Sequence, residues 1–259
     1  MISAAAARRI VGIVGNVISF FLFLSPLPTF FSIYKKGAVE DFSPYPYIVT
    51  VLNCALWVFY GFVTPNSLLV ITINGGGLVI ELIYVAIYFF YADNKQRKRP
   101  CIWSLAEIVF LVAVVLLCSL IPNPQSWRGV VIGWLCVAVN IGMYAIPCLA
   151  MRQVYKTKSL EYMPFWLSLA CFLNGLCWLA YSLLGFDKYI LTSNGIGLVL
   201  GLIQIIVIGY YFFKYPQPKD YISWPNLPNW WKFLKSKMNN KTVDEKAGGG
   251  GKVELTDMV

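Results

Sequence analysis

The sequence predicts an all-α integral membrane protein whose seven transmembrane helices form two parallel three-helix repeats (3+1+3) joined by an inversion linker helix. Three observations predict it. Charge is scarce: of 259 residues 58% are hydrophobic and 13% charged, where a soluble domain carries about 25% charge. The charged residues gather in short stretches between seven apolar runs, each near the roughly 20 residues a helix needs to cross hydrocarbon. A set of less common residues also recurs at one spacing in both halves.

The first span, about 10–33, follows Arg8 and Arg9 and superficially resembles a secretory signal. It is too long for one, and Pro26 and Pro28 stand where a small-x-small cleavage pattern belongs. The second span, 44–63, carries Pro46, Asn53, Trp57 and Tyr60, and the third, 68–91, carries Asn74 and Gly75. The fourth, 101–121, follows a basic stretch and has no counterpart elsewhere. The fifth, sixth and seventh, 128–151, 164–184 and 189–213, carry Pro147, then Asn174, Trp178 and Tyr181, then Asn194. The predicted units are a first triple-helix bundle over 8–91, the linker over 101–121, a second bundle over 128–213, and a largely disordered cytosolic tail over 214–259.

Lysine and arginine set the orientation. Loops after spans one, three and five hold Lys35, Lys36, Lys95, Arg97, Lys98, Arg99, Arg152, Lys156 and Lys158; those after two, four and six hold Arg128 and Lys188, and the tail adds eight more. The C-terminus is therefore expected in the cytosol and the N-terminus outside, although Arg8 and Arg9 argue locally the other way. The net charge of +9 reports this topology, since no groove or stacking pattern for nucleic acid accompanies it. In the tail, residues 221–238 mix Trp224, Trp230, Trp231 and Phe233 with lysines, which suits an anionic membrane surface. The sequon at Asn240 falls on the side where it is not used.

All seven cysteines lie in or beside apolar helices, so no disulfide framework is expected. With no histidine and no CxxC, zinc and histidine-based catalysis are excluded, and no cofactor is expected.

The duplication is specific. Leu52-Asn53-Cys54-Ala55-Leu56-Trp57-Val58-Phe59-Tyr60 recurs 121 positions later as Leu173-Asn174-Gly175-Leu176-Cys177-Trp178-Leu179-Ala180-Tyr181. The same offset carries Pro26 to Pro147; an offset of 120 carries Asn74-Gly75 to Asn194-Gly195. Both copies share one orientation, which places a substrate site at their interface near the membrane midplane.

Asn53, Trp57 and Tyr60 share one helix face, as do Asn174, Trp178 and Tyr181. Uncharged amides bond hydroxyls without the cost of a buried ion, and an indole face suits the C–H surface of a sugar ring. Such residues in transmembrane helices often only hold helices together, for about 1 kcal/mol or less. Four asparagines at matched positions beside matched tryptophans instead predict a lined pocket for a neutral polyol. Pro26, Pro46, Pro147 and Pro164 are expected to hinge one mouth, with Pro46 and Pro164 also explicable as helix starters. Tyr60 and Asp187 are expected to meet across the outer opening. Glu81 and Glu107 lie in apolar helices, where an acid invites a proton role. The repeat sets Gly201 against Glu81, and neither acid has a cation in its own helix, so passive uniport is the reading.

The segments Phe23-Leu24-Ser25-Pro26, Pro46-Tyr47, Thr72-Ile73-Asn74-Gly75, Tyr144-Ala145-Ile146-Pro147, Lys158-Ser159-Leu160-Glu161-Tyr162-Met163-Pro164 and Asn194-Gly195 resemble the plant SWEET sugar transporters (MtN3/saliva type). That family is itself a type case of the parallel-repeat arrangement invoked above. The resemblance spans about residues 8–213 and implies alternating access for mono- or disaccharides moving down their gradient. It implies Asn74, Asn194, Trp57 and Trp178 as sugar contacts, with Ser19, Leu22, Asn53, Asn140, Met143 and Asn174 completing the wall. It further implies the proline tetrad, the Tyr60–Asp187 gate, the plasma membrane, and a homo-oligomer described as a trimer. Asn53 and Asn174, bulkier than the small residues of sucrose carriers, point to the hexose branch and to glucose. The alternatives are a sucrose-carrying member and a PQ-loop exporter of cationic amino acids. The latter expects Pro-Gln pairs where this chain has Pro26-Leu27 and Pro147-Cys148. A seven-helix receptor would lack the duplication.

Overall fold

The computed structural model describes residues 3–120, 125–217 and 221, all within the compact unit formed by residues 1–222. The predicted tail beyond Tyr221, with its Trp-rich segment and sequon, lies outside the described residues.

Nine α-helices form among the described residues: α1 (Ala4–Leu24), α2 (Leu27–Lys36), α3 (Tyr45–Val63), α4 (Leu68–Tyr91), α5 (Asn94–Leu120), α6 (Gln125–Met143), α7 (Ala145–Thr157), α8 (Phe165–Gly185) and α9 (Lys188–Lys214). The pairs α1–α2 and α6–α7 are each one span broken near a proline, leaving seven helical segments long and apolar enough to cross a membrane. No strand occurs among the described residues. The third span falls where predicted. The first extends beyond 10–33 to Ala4–Lys36, and the fourth begins at Asn94 rather than 101. Helical hydrogen bonding continues past the apolar run into turns that water can solvate, and Ser3 prolongs α1 by accepting from the Ala6 amide at 3.2 Å.

Helix packing carries the duplication. α3 lies on α4 as α8 lies on α9, and α1 on α4 as α6 on α9. Across the halves, α1 packs on α8 and α3 on α6, so the first helix of each half leans on the second helix of the other. α5 rests chiefly on α3 and has the least buried span, 11% of its apolar window. That suits a connector beside the bundle. Asn16 ties α1 to α4: its amide donates to the Gly12 and Leu69 carbonyls, each at 3.0 Å, and its Oδ1 accepts from Thr72 Oγ1 at 3.1 Å. Large apolar side chains such as Phe21, Phe90 and Leu120 face outward, as a hydrocarbon solvent permits. The seven cysteines are free thiols.

Each of the four expected hinge prolines sits where a helix is interrupted or begins. Pro26 caps α2 after α1 has ended at Leu24, and Pro147 is the third residue of α7, just after the break at Tyr144. Pro46 is in the first turn of α3 and Pro164 caps α8. The missing proline N–H costs least there, because first-turn amides have no partner within the helix.

Candidate functional site

The central seam holds a cavity of about 280 Å³ lined by residues of six helices from both halves. α3 supplies Asn53 and Trp57, α8 Asn174 and Trp178, α4 Asn74, and α9 Asn194, while Ser19 and Leu22 come from α1 and Asn140 from α6. None of its lining residues is ionisable. Its polar groups are neutral donors and acceptors set among indoles and aliphatics, a lining suited to an uncharged polyhydroxyl solute.

Hydrogen bonds across the seam fix these side chains. Trp178 Nε1 donates to Ser19 Oγ at 3.1 Å, and Ser19 Oγ donates to Asn174 Oδ1 at 2.6 Å. In the matched arrangement Trp57 Nε1 donates to Asn140 Oδ1 at 3.4 Å. Ser19 and Asn140 are 121 positions apart, so each half lends one residue of that register to hold the other half's tryptophan. The third helix of each half repeats the pattern within itself. Asn74 Nδ2 donates to the Val70 carbonyl at 2.9 Å, and Asn194 Nδ2 to the Ile190 carbonyl at 3.0 Å. These bonds stop the amides from rotating freely in the cavity. Asn53 Oδ1 is buried without a hydrogen-bond partner, which makes it a ready acceptor for a solute hydroxyl.

Of the ten wall residues expected from sequence, nine line this cavity and Met143 does not. Phe23, Val70, Ile73 and Ile190 line it as well. The repeat offered a signal for two of them, since Val70 and Ile190 stand four residues before the paired asparagines. Phe23 and Ile73 carried no polar signature by which to single them out.

At one end of the seam Tyr60, 2% exposed, donates its hydroxyl to Asp187 Oδ2 at 2.8 Å. Asp187 Oδ1 meanwhile accepts from the Tyr189 and Ile190 amides, both at 3.1 Å, capping α9. The carboxylate is thus held rigid by the helix it starts while it receives the tyrosine. The prolines stand apart from the cavity lining, at helix breaks and starts. Among the described residues no group of acids, cysteines or histidines could hold a metal ion.

Comparison with known proteins places the chain. A family profile described as "Sugar efflux transporter for intercellular exchange" matches residues 9–96 and 130–219. The bidirectional sugar transporter SWEET4 of Arabidopsis thaliana is 50% identical over 223 residues, covering 85% of this chain and 88% of that protein. A second relative, the bidirectional sugar transporter SWEET7b of Oryza sativa subsp. japonica, is 48% identical over 222 residues, 85% of this chain and 84% of its own length. A eukaryotic SWEET transporter solved at 3.7 Å superposes with a TM-score of 0.73 at 36% identity, covering 80% of this chain and 98% of that one. These are transporters, not enzymes. The chain, with its duplicated three-helix halves and a neutral amide-and-indole cavity at their seam, belongs to the SWEET family of sugar efflux transporters.

Proposed function

We propose that the protein is a bidirectional facilitative sugar uniporter that moves hexoses such as glucose down their gradient by alternating access. The seam cavity is its sugar site. The observation that carries this reading is the meeting of four asparagines and two indoles from matched positions in one uncharged cavity. Amides there bond ring hydroxyls, and the faces of Trp57 and Trp178 cover apolar ring surface. The cavity, about 280 Å³, lies just below the usual range of ligand sites, about 300–1,000 Å³. Its size favours a monosaccharide over a disaccharide. The Tyr60–Asp187 bond supports a state latched at the outer end, and helix breaks at Pro26 and Pro147 supply hinges for the opposite mouth, with Pro46 and Pro164 beside them.

In this reading the transporting halves are residues 8–91 and 128–213, the linker is 101–121, and the tail from 214 is cytosolic. The N-terminus is extracellular, and the protein works in the plasma membrane as a homo-oligomer, taken as a trimer. The test is uptake of labelled glucose, sucrose and lysine by cells expressing the protein, with Asn74→Ala and Asn194→Ala alongside. Glucose enters preferentially, and each alanine variant loses at least about tenfold of that flux at equal surface expression, the equivalent of roughly 1.4 kcal/mol. Preferred sucrose uptake removes the hexose assignment, lysine uptake removes the sugar, and undiminished flux in both variants removes the site.

A further inference from the structure

Arg8 is a basic residue at the outer start of the first span, where basic residues are disfavoured. The structure treats it differently from its neighbour: Arg9 is exposed, whereas Arg8 is half-buried. Its guanidinium lies over the ring of Tyr181, with Cζ 4.3 Å from the ring centre. The group also lies against Gly185, where a Cβ would collide with Cζ, Nε and Nη2. Arg8 Nε is buried with no hydrogen-bond partner, so stacking against the ring is what holds the group.

Tyr181 is itself in a latch. It is 2% exposed and donates its hydroxyl to the main-chain oxygen of Asn66 at 3.3 Å. Tyr181 is the repeat mate of Tyr60, and Asn66 of Asp187, so each tyrosine is met by the residue six positions after the other. The outer end is therefore closed by two crossed bonds. They are unequal: Tyr60 meets a carboxylate at 2.8 Å, while Tyr181 meets a neutral carbonyl at 3.3 Å. A hydrogen bond to an ionised acceptor is about twice as strong as a neutral one. The weaker latch carries the arginine. The position matching Arg8 in the second half is Gly129, which carries no cation.

We propose that Tyr181 and Asn66 form a second outer latch, and that Arg8 is a positioning residue that clamps the Tyr181 ring in it. Arg8 thereby offsets the absence of a carboxylate at Asn66. Its charge is spent on a gate, which explains its place against the topological rule. This rests on the proposed transport reading and extends it to the balance between outward- and inward-facing states.

The experiment measures KM for external and for internal glucose, in uptake and in efflux, and takes their ratio per surface copy. Loosening the outer latch populates the outward-open state, so external KM falls relative to internal KM. Arg8→Gln lowers the ratio by about three- to thirtyfold, the worth of a partly desolvated cation–π contact. The change is larger in this ratio than in maximal flux, Arg8→Lys falls between, and Tyr181→Phe shifts it in the same direction. Arg8→Gln added to Tyr181→Leu shifts it no further. An unchanged ratio in Arg8→Gln while Asp187→Asn moves it overturns the Arg8 role and leaves the transport reading intact. Loss of expression with an unchanged ratio overturns it equally. A wild-type protein that carries no sugar overturns the transport reading, and the second latch with it.

Discussion

At the residue scale, the chemistry of the seam depends on side chains that are short of partners or bound to each other. Asn174 Oδ1 is occupied by Ser19, whereas Asn53 Oδ1 is buried and free. In the proposed sugar site the two halves thus offer a solute different functions at matched positions. Shrinking both asparagines enlarges the cavity at its two α3 and α8 walls. Asn53→Ser with Asn174→Ser is expected to raise sucrose uptake severalfold relative to glucose in a paired-sugar assay; an unchanged preference removes the size argument. The paired amides and indoles were legible in sequence because polar residues repeating at one spacing contrast with a Leu/Val background. Phe23 and Ile73 were not, because an aliphatic or aromatic residue lining a cavity has the same chemistry as one facing lipid. Met143 was expected from family resemblance alone, and it stands at the last turn of α6, off the lining.

At the element scale, the two broken spans are built alike. Phe23 and Tyr144 each precede a proline by three residues, and each lays its ring on a glycine of the third helix in its own half, Phe23 on Gly77 and Tyr144 on Gly197. Tyr84 donates to the freed Phe23 carbonyl at 3.0 Å, and Tyr144 donates to the Ser193 carbonyl at 2.6 Å. Any Cβ at either glycine collides with the ring it supports. Gly77→Ala and Gly197→Ala are each expected to cost about 1–3 kcal/mol by overpacking. That lowers Tm in detergent by about 2–4 °C per kcal/mol for a chain of this size. A Tm within about 1 °C of the parent for both shows that the rings are free to leave. The proline pattern in sequence announced breaks in spans one and five. The exact helix ends were not legible, because they depend on hydrogen bonds such as the Ser3 cap and not on apolarity.

At the scale of the whole molecule, transport follows from two halves that differ in small ways. Glu81, 4% exposed in α4, and Glu107 in α5 make no ion pair among the described residues. Glu81 also lies outside the cavity lining. The proposed passive carrier needs neither. Glucose uptake is therefore expected to persist with a protonophore present and in Glu81→Gln; collapse of accumulation-free flux under the protonophore assigns one of these acids a coupling role. The seam between halves has a further consequence for biogenesis. Ser19 and Asn174, bonded in the mature fold, are 155 positions apart. At roughly 5–20 residues per second of synthesis, the first helix waits about 8–30 s for the partner that satisfies its polar face. During that interval the Ser19 hydroxyl must be sheltered, by the insertion machinery or by transient pairing, because both of its seam partners, Asn174 and Trp178, belong to the second half.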